Sequence, residues 1–236
     1  MLRARAYDLI AEEYIEFARQ ADDPTTILGI ATQSLIEIMG DVAGKVVCDL
    51  GCGEGHLSRR CLESGAATVI GIDISMAMLM AAVEKNDANY VLADAQCLDA
   101  LAANSFDVVI SNLALMDIPD LAGTYQSAHN ILKPGGQFVF SITHPCFQSP
   151  QTTILAKGRY ITAYTTEGQW FSEGTGIRAK VGAYHRTVAT YINFLVKTGF
   201  IVEKMLEPTL PPDSYIEMSQ NVQVEIPAIM VVKAVK

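Results

Sequence analysis

The chain has 236 residues, half of them apolar, with 17 Lys and Arg against 26 Asp and Glu for a formal net charge of −9. That length suits one α/β domain with an embellishment, and the apolar share is enough to bury both faces of a sheet. The acidic balance argues against a nucleic-acid partner, which clustered Lys and Arg would hold, and no apolar run reaches the roughly 18 residues that span a bilayer.

The N-terminus, with Arg3, Arg5, Asp8, Glu12 and Glu13, lacks the apolar centre of a signal peptide. Five cysteines form no Cys-x-x-Cys pair and no histidine cluster stands at metal spacing. They read as small buried residues in a reducing cytoplasm, with no metal site.

Tyr7, Ile10, Ala11, Tyr14, Phe17 and Ala18 share one helical face within residues 1–20, which Asp22-Asp23-Pro24 ends. Ile27, Ile30, Ala31, Ser34, Leu35 and Ile38 predict a second amphipathic helix, stopped near Gly40. Val46-Val47-Cys48-Asp49-Leu50 then rises into Gly51-Cys52-Gly53-Glu54-Gly55, followed by Leu57 and Cys61 at helical spacing. The order is strand, glycine turn, helix. Glycines permit positive φ and close approach of a ligand, and the next helix presents unpaired N–H groups. This is a small-molecule cofactor site at the carboxyl end of a strand.

A second strand, Val69-Ile70-Gly71-Ile72, closes on Asp73, and Ser75 is placed to cap a helix carrying Met76, Leu79, Met80 and Val83. Asn89–Leu92 is a third strand ending at Ala93-Asp94-Ala95, and Phe106–Ile110 a fourth ending at Ser111-Asn112-Leu113-Ala114. The fourth is a continuous apolar run, as in a parallel strand buried on both faces. Asp120 can cap a helix with Leu121, Tyr125, Ala128 and Leu132 inward; Lys133-Pro134-Gly135-Gly136 stops it before a fifth strand, Gln137–Ile142. Residues 144–186 break this alternation with scattered aromatics and glycines, and read as a lid of loops and short strands. A helix on Val188, Ile192, Leu195 and Val196 follows, then strands from Gly199-Phe200-Ile201-Val202 and Ala228–Val232. The linker between those strands, with Pro208, Pro211, Pro212 and Asp213, is long enough for a second flap. The β/α alternation predicts a doubly wound sheet.

A dinucleotide fingerprint spaces its glycines Gly-x-Gly-x-x-Gly. Here the third comes one residue early, in Asp49-x-Gly51-x-Gly53-x-Gly55, with Asp73 about twenty positions on. Together with Leu132-Lys133-Pro134-Gly135-Gly136 and Tyr7-Asp8-x-x-Ala11-x-x-Tyr14, this resembles the class I S-adenosylmethionine-dependent methyltransferases that act on small molecules. The resemblance covers about residues 5–142, and 184–206 more loosely. It implies a Rossmann-like seven-stranded sheet whose last strand is antiparallel and inserted beside its predecessor. One methyltransferase domain spans 1–236: cap helices in 1–40, a cofactor core in 45–143, the substrate lid in 144–186, and a C-terminal helix and strands in 187–236.

The resemblance also assigns the cofactor, S-adenosyl-L-methionine. Gly51, Cys52 and Gly53 would pass under its methionine and ribose through backbone groups rather than side chains, Asp49 belongs to the same cofactor-binding motif, and Asp73 would accept both ribose hydroxyls. Ile74 and Met78 would wall the adenine, Asp94 and Ala95 would read its edge, and Asn112 and Leu113 would face the methionine amino group. Tyr7 and Tyr14 are, as bare sequence, packing residues with a polar tip; the family places them at the cofactor. Asp94 taken alone reads as a turn-forming residue; the order and spacing of the other strand-end residues place it at the cofactor. His144, directly after the fifth strand, and His185, in Tyr184-His185-Arg186, are the candidate proton acceptors, each with a structural role as the alternative. Tyr160, Tyr164, Trp170 and Tyr184 would wall the acceptor or simply pack the lid.

Asn112-Leu113-Ala114-Leu115 stands where amino-methylating DNA enzymes show Asn/Asp-Pro-Pro-aromatic, which argues against base methylation. The expected reaction is methyl transfer to O or N of a small, partly apolar or aromatic acceptor in the cytoplasm, with no nucleic acid or membrane partner. A homodimer is left open. The alternatives are C-methylation of a quinone-like ring and a cofactor-binding protein without catalysis.

Overall fold

The computed structural model describes residues 2–85, 87–148, 150, 152–155, 158–209 and 226–236. The flap expected around Pro211, Pro212 and Asp213 lies outside the described residues.

The first helical stretch is two pieces. α1 (Leu2–Leu9) and α2 (Ala11–Ala18) part at Ile10, whose φ of −114° and ψ of 12° leave the helical region, and a 3₁₀ turn over Arg19–Asp22 completes the stretch. This corrects the single face read over residues 1–20, and the cause is tertiary. α1 turns aside to meet the start of a later helix, where Asp8 accepts hydrogen bonds from Ser75 Oγ (2.6 Å) and the Ala77 N–H (3.1 Å). α3 (Ile27–Met39) follows, capped by Thr26 Oγ1 accepting from the Gly29 N–H at 3.0 Å and ended by Gly40 at φ 74°.

The strands form where the apolar runs predict them: β1 (Val46–Leu50), β2 (Thr68–Asp73), β3 (Asn89–Leu92) and β4 (Phe106–Asn112). α4 (His56–Glu63), α5 (Met76–Val83) and α6 (Leu121–Ile131) run between or after them, with Ser75 and Asp120 as N-caps. β5 (Leu132–Thr143) starts five residues before the expected Gln137. Its register against β4 shifts between Phe106 and Val108, and the chain end ties the early part down: the Gly135 N–H donates to Lys236 O (2.9 Å) and the Lys236 N–H to Gly136 O (3.0 Å).

The lid holds two hairpins, β6 (Thr152–Leu155) with β7 (Gly158–Ile161), and β8 (Gly168–Trp170) with β9 (Ala183–His185); the short α7 (Ile177–Val181) lies inside the second. α8 (Val188–Thr198), β10 (Ile201–Leu206) and β11 (Ile229–Val235) complete the chain.

The main sheet has seven strands in the order β10-β11-β5-β4-β1-β2-β3. β11 is antiparallel to both β5 and β10, and the remaining pairings are parallel. The last strand is therefore inserted beside its predecessor, as the resemblance implied. Val47, Cys48, Val108, Val109 and Ile110 have no accessible surface, so the central strands are covered on both faces. Phe138 and Phe140 project to one face, where Tyr125 of α6 lies 5.6 and 5.8 Å away and Phe200 is 5.6 Å from Phe138. Successive strand residues alternate, so α3 covers β5 and β11 from the other side. Order reverses between β1 and β4. The crevice above those two carboxyl ends is where such a sheet receives a ligand.

Candidate active site

The glycine turn forms the floor of that crevice. Gly51 and Gly53 hold φ of 70° and 54°, in the left-handed region where a side chain is strained. A Cβ on Gly51 would stand 2.5 Å from Ala114 Cβ, so β1 and β4 approach more closely than any other residue permits. The Gly53 N–H donates to Asp73 Oδ2 and the Ser75 N–H to Asp73 Oδ1, each at 2.9 Å. The Ile74 N–H also acts on this carboxylate, whose remaining lone-pair capacity is open to a ligand. Burial raises the Asp73 carboxyl above its usual range, and the Ser75 and Gly53 donors pull it back.

Above the floor opens a cleft of about 440 Å³. Ten of the thirteen sequence-predicted cofactor residues line it: Gly51, Gly53, Asp73, Ile74 and Met78 on the β1 and β2 side, Asp94, Ala95 and Leu113 from the ends of β3 and β4, and Tyr7 and Tyr14 from the N-terminal helices. Leu113 has φ 52°, uncommon for a branched residue, and is pinned there by its N–H donating to both Ser141 O and Ser141 Oγ at 3.0 Å.

The other three point elsewhere. Asp49 is 1% exposed and accepts from Ser58 Oγ at 2.7 Å; burial pushes its carboxyl up to about 7. Cys52 is buried, its thiol raised by burial. Asn112 donates through Nδ2 to Thr32 Oγ1 (3.0 Å) and accepts from Ser141 Oγ (2.5 Å), joining α3, β4 and β5. All three line a small annex of about 40 Å³ that shares Tyr14, Gly51 and Gly53 with the main cleft.

The lid side divides by strand alternation. Gln169 and Tyr184 face each other across the β8–β9 pair, and both line the cleft. Trp170 and His185, one residue along, turn to the opposite side and line a second pocket of about 30 Å³, which Tyr184 also touches. His185 Nε2 meets Tyr164 O at 2.7 Å, and Tyr164 OH accepts the Val188 N–H at 2.8 Å. Tyr160 is exposed on β7. Neither Tyr160, Tyr164 nor Trp170 is brought to the cleft, and of the four predicted acceptor residues only Tyr184 is. Arg186 stacks on the Tyr184 ring at 5.1 Å and donates to Leu115 O (3.2 Å), Ile118 O (2.6 Å) and Pro119 O (2.7 Å), fixing the loop after β4.

His144 does not reach the cleft either. It is 2% exposed, its Nε2 lies 2.8 Å from Glu207 Oε1, its Nδ1 accepts the Cys146 N–H at 3.3 Å, and its ring packs on Phe147. Nδ1 is committed to the turn after β5 and Nε2 to Glu207, just after β10.

Among the lining residues that the sequence did not single out are Gln96, Asp117, Ile118 and Pro119. Gln96 places its amide Nε2 at 2.8 Å from both Asp94 oxygens while its Oε1 accepts the Asp120 N–H at 2.8 Å. An amide two residues after a strand-end Asp was the available signal. Asp117 accepts the Tyr7 hydroxyl (2.8 Å) and pairs with Arg178. Ile118 and Pro119 add apolar wall. Burial, then the Asp117 charge, raises both Tyr7 and Tyr14 well above an ordinary phenol, so neither ionises near neutral pH. The charged lining consists of Asp73, Asp94 and Asp117, with no Lys, Arg or His among the described lining residues.

Comparison with known proteins agrees with this geometry. Residues 41–172 match a family described as a methyltransferase domain. An uncharacterized protein of Haemophilus influenzae is 30% identical over 207 residues, 77% of each chain. A ubiquinone biosynthesis O-methyltransferase of Pseudomonas entomophila is 36% identical over 120 residues, 49% of this chain and 50% of the relative. The chain thus spans about half the length of that O-methyltransferase. Among solved structures, an S-adenosylmethionine-dependent methyltransferase of Mesorhizobium loti superposes with a TM-score of 0.74 at 30% identity, over 87% of this chain and 97% of that one.

Proposed function

This chain belongs to the methyltransferase-domain family and is a class I S-adenosylmethionine-dependent methyltransferase, and from that premise we propose that it methylates an oxygen or nitrogen of a small molecule carrying no anionic group. The supporting observation is the cleft itself: about 440 Å³, roofed by tyrosines and a lid, with the carboxylates of Asp73, Asp94 and an Asp117 paired with Arg178, and no described cation in its lining. Carboxylates suit a sulfonium ligand and an uncharged or cationic acceptor, and oppose an anionic one.

S-adenosylmethionine supplies an electrophilic methyl group on a sulfonium. Within this reading, Asp73 holds the ribose hydroxyls, Ile74 and Met78 wall the adenine, and Asp94, steadied by Gln96, accepts from the adenine amino group. The annex bounded by Asp49 and Asn112 takes the amino-acid end. Tyr14 lies over Gly53, whose Cβ position is 3.6 Å from the ring, and Tyr7 meets Tyr14 edge-on at 5.8 Å. Together they exclude water from the reacting face. Gln169, Tyr184, Ile118 and Pro119 form the acceptor wall.

No histidine serves as base in this reading, because His144 and His185 are spent in the turn and the lid. The rate arises from alignment of acceptor, methyl and sulfur, which supplies roughly 7–11 kcal/mol of such a barrier. The acceptor attacks through a lone pair it already carries, as a free amine or a neutral hydroxyl does, and the proton it sheds on methylation passes to solvent. The described cysteines are all free thiols, which supports a cytoplasmic setting. Among the described residues no helix is long and apolar enough to cross a membrane.

The test is titration calorimetry with S-adenosylhomocysteine, then turnover on matched acceptors. A neutral phenol and an arylalkylamine are expected to be methylated in preference to an aryl carboxylate. Preference for the carboxylate removes the acceptor class; absence of nucleoside binding removes the reading.

A further inference from the structure

The two covers of the cleft meet on one side chain. Asp117 sits in the 3₁₀ turn Leu115–Asp117 after β4, on the cleft wall, with its side chain 12% exposed. From the roof, the Tyr7 hydroxyl of α1 donates to Asp117 Oδ2 at 2.8 Å. From the lid, the Arg178 guanidinium of α7 pairs with Asp117 Oδ1. Arg178, in the first turn of α7, also donates to Gly182 O at 3.1 Å, which ties its side chain to the C-cap of its own helix. A second tie between the same two parts, Lys180 with Glu13, is solvent-exposed on both sides and so contributes little. The Asp117 link is sheltered and charge-assisted, the stronger kind.

We propose that Asp117 is a positioning residue that ties the N-terminal roof to the acceptor lid, so that the nucleoside ligand leaves only when the lid lets go. The inference rests on the cofactor reading above. The links act in series. Arg178 orients the Asp117 carboxylate, Asp117 holds the Tyr7 hydroxyl, and Tyr7 holds Tyr14 edge-on over Gly53. Arg178 itself does not line the cleft. An effect of Arg178 on ligand release therefore reports transmission through Asp117 and not a lost contact. The arrangement also sets an order: an acceptor that orders the lid on arrival strengthens the hold on the nucleoside already beneath the roof.

The experiment is stopped-flow measurement of S-adenosylhomocysteine association and dissociation on the full chain, for wild type, Asp117→Asn, Arg178→Gln, Tyr7→Phe and the paired combinations. Each single change is expected to speed dissociation by about tenfold, with association rising too, so that Kd moves less than the rates. Because the links are in series, each double variant is expected to match its faster single. Dissociation from Arg178→Gln at the wild-type rate overturns the proposal, as do multiplicative effects in the doubles. Amide exchange on the ligand-free protein is the control for folding: α1 is expected to exchange faster in Asp117→Asn while β1 and β4 keep their protection. Unchanged α1 protection in that variant overturns the tie without reference to any ligand. A wild-type chain that binds no S-adenosylhomocysteine overturns the cofactor reading instead.

Discussion

At the scale of single residues, Gly51, Asp73 and Asp49 separate what a motif names from what a side chain does. Gly51 is required twice, by its φ of 70° and by Ala114 Cβ at 2.5 Å from where a methyl would go. Gly51→Ala is expected to cost about 1–3 kcal/mol and lower Tm by roughly 3–10 °C in a thermal melt. Asp73→Asn keeps one acceptor oxygen but loses the charge. S-adenosylhomocysteine affinity is expected to fall by at least about tenfold by calorimetry, and wild-type affinity in that variant would take Asp73 out of the site. Asp49 behaves differently, because its carboxyl is buried and raised to about 7 from an ordinary 3.8. Its protonated form favours the fold, so its contribution is full below about pH 4 and is lost as pH rises through 7. Urea unfolding at pH 5 and pH 8 is expected to show wild type losing stability over that interval relative to Asp49→Asn, which keeps an oxygen for Ser58.

At the scale of elements, alternation in the β8–β9 hairpin decides which lid residues meet an acceptor. The pairing Gln169 with Tyr184 faces the cleft, while Trp170 pairs with Ala183 on the other side. Gln169→Ala is expected to change acceptor KM and leave Tm within about 1 °C. Trp170→Ala, which removes a ring packed against the core, is expected to lower Tm with little effect on KM. The opposite pattern would reverse the assignment. Aromatic content alone pointed to Trp170, because a hairpin's face depends on register, and the loop between β8 and β9 left that register open. The caps were more legible. Ser75 and Asp120, read as caps from the sequence, each accept an N–H from the first turn of the helix they precede, a bond that is local in sequence. Thr26 and Thr187 do the same without having been singled out. Asp120→Ala, which removes the carboxylate that accepts the Gly123 N–H, is expected to cost about 1 kcal/mol by denaturant titration.

For the whole molecule, the sheet places four strand ends around one crevice, and N-terminal helices and lid close over it. Saturating S-adenosylhomocysteine at about 100 times its Kd is expected to stabilise the fold by about 2.7 kcal/mol, raising Tm by several degrees. A Tm that does not move in a scanning titration counts against ligand and roof together. The residues that the sequence reading placed near the cofactor but whose side chains lie behind the turn (Asp49, Cys52 and Asn112) still bound the annex beside the cleft.

Periodicity and motif spacing by themselves determined the order of the five parallel core strands along the chain, the glycine turn, and the carboxylate some twenty residues later. These are properties of neighbours in sequence, dictated by backbone sterics and by burial on both faces of a strand. Tertiary structure alone decided the break at Ile10, the turn of His144 away from the cleft toward Glu207, and the meeting of Tyr7 and Arg178 on Asp117. Each of those depends on groups dozens of residues apart, whose approach no local pattern encodes.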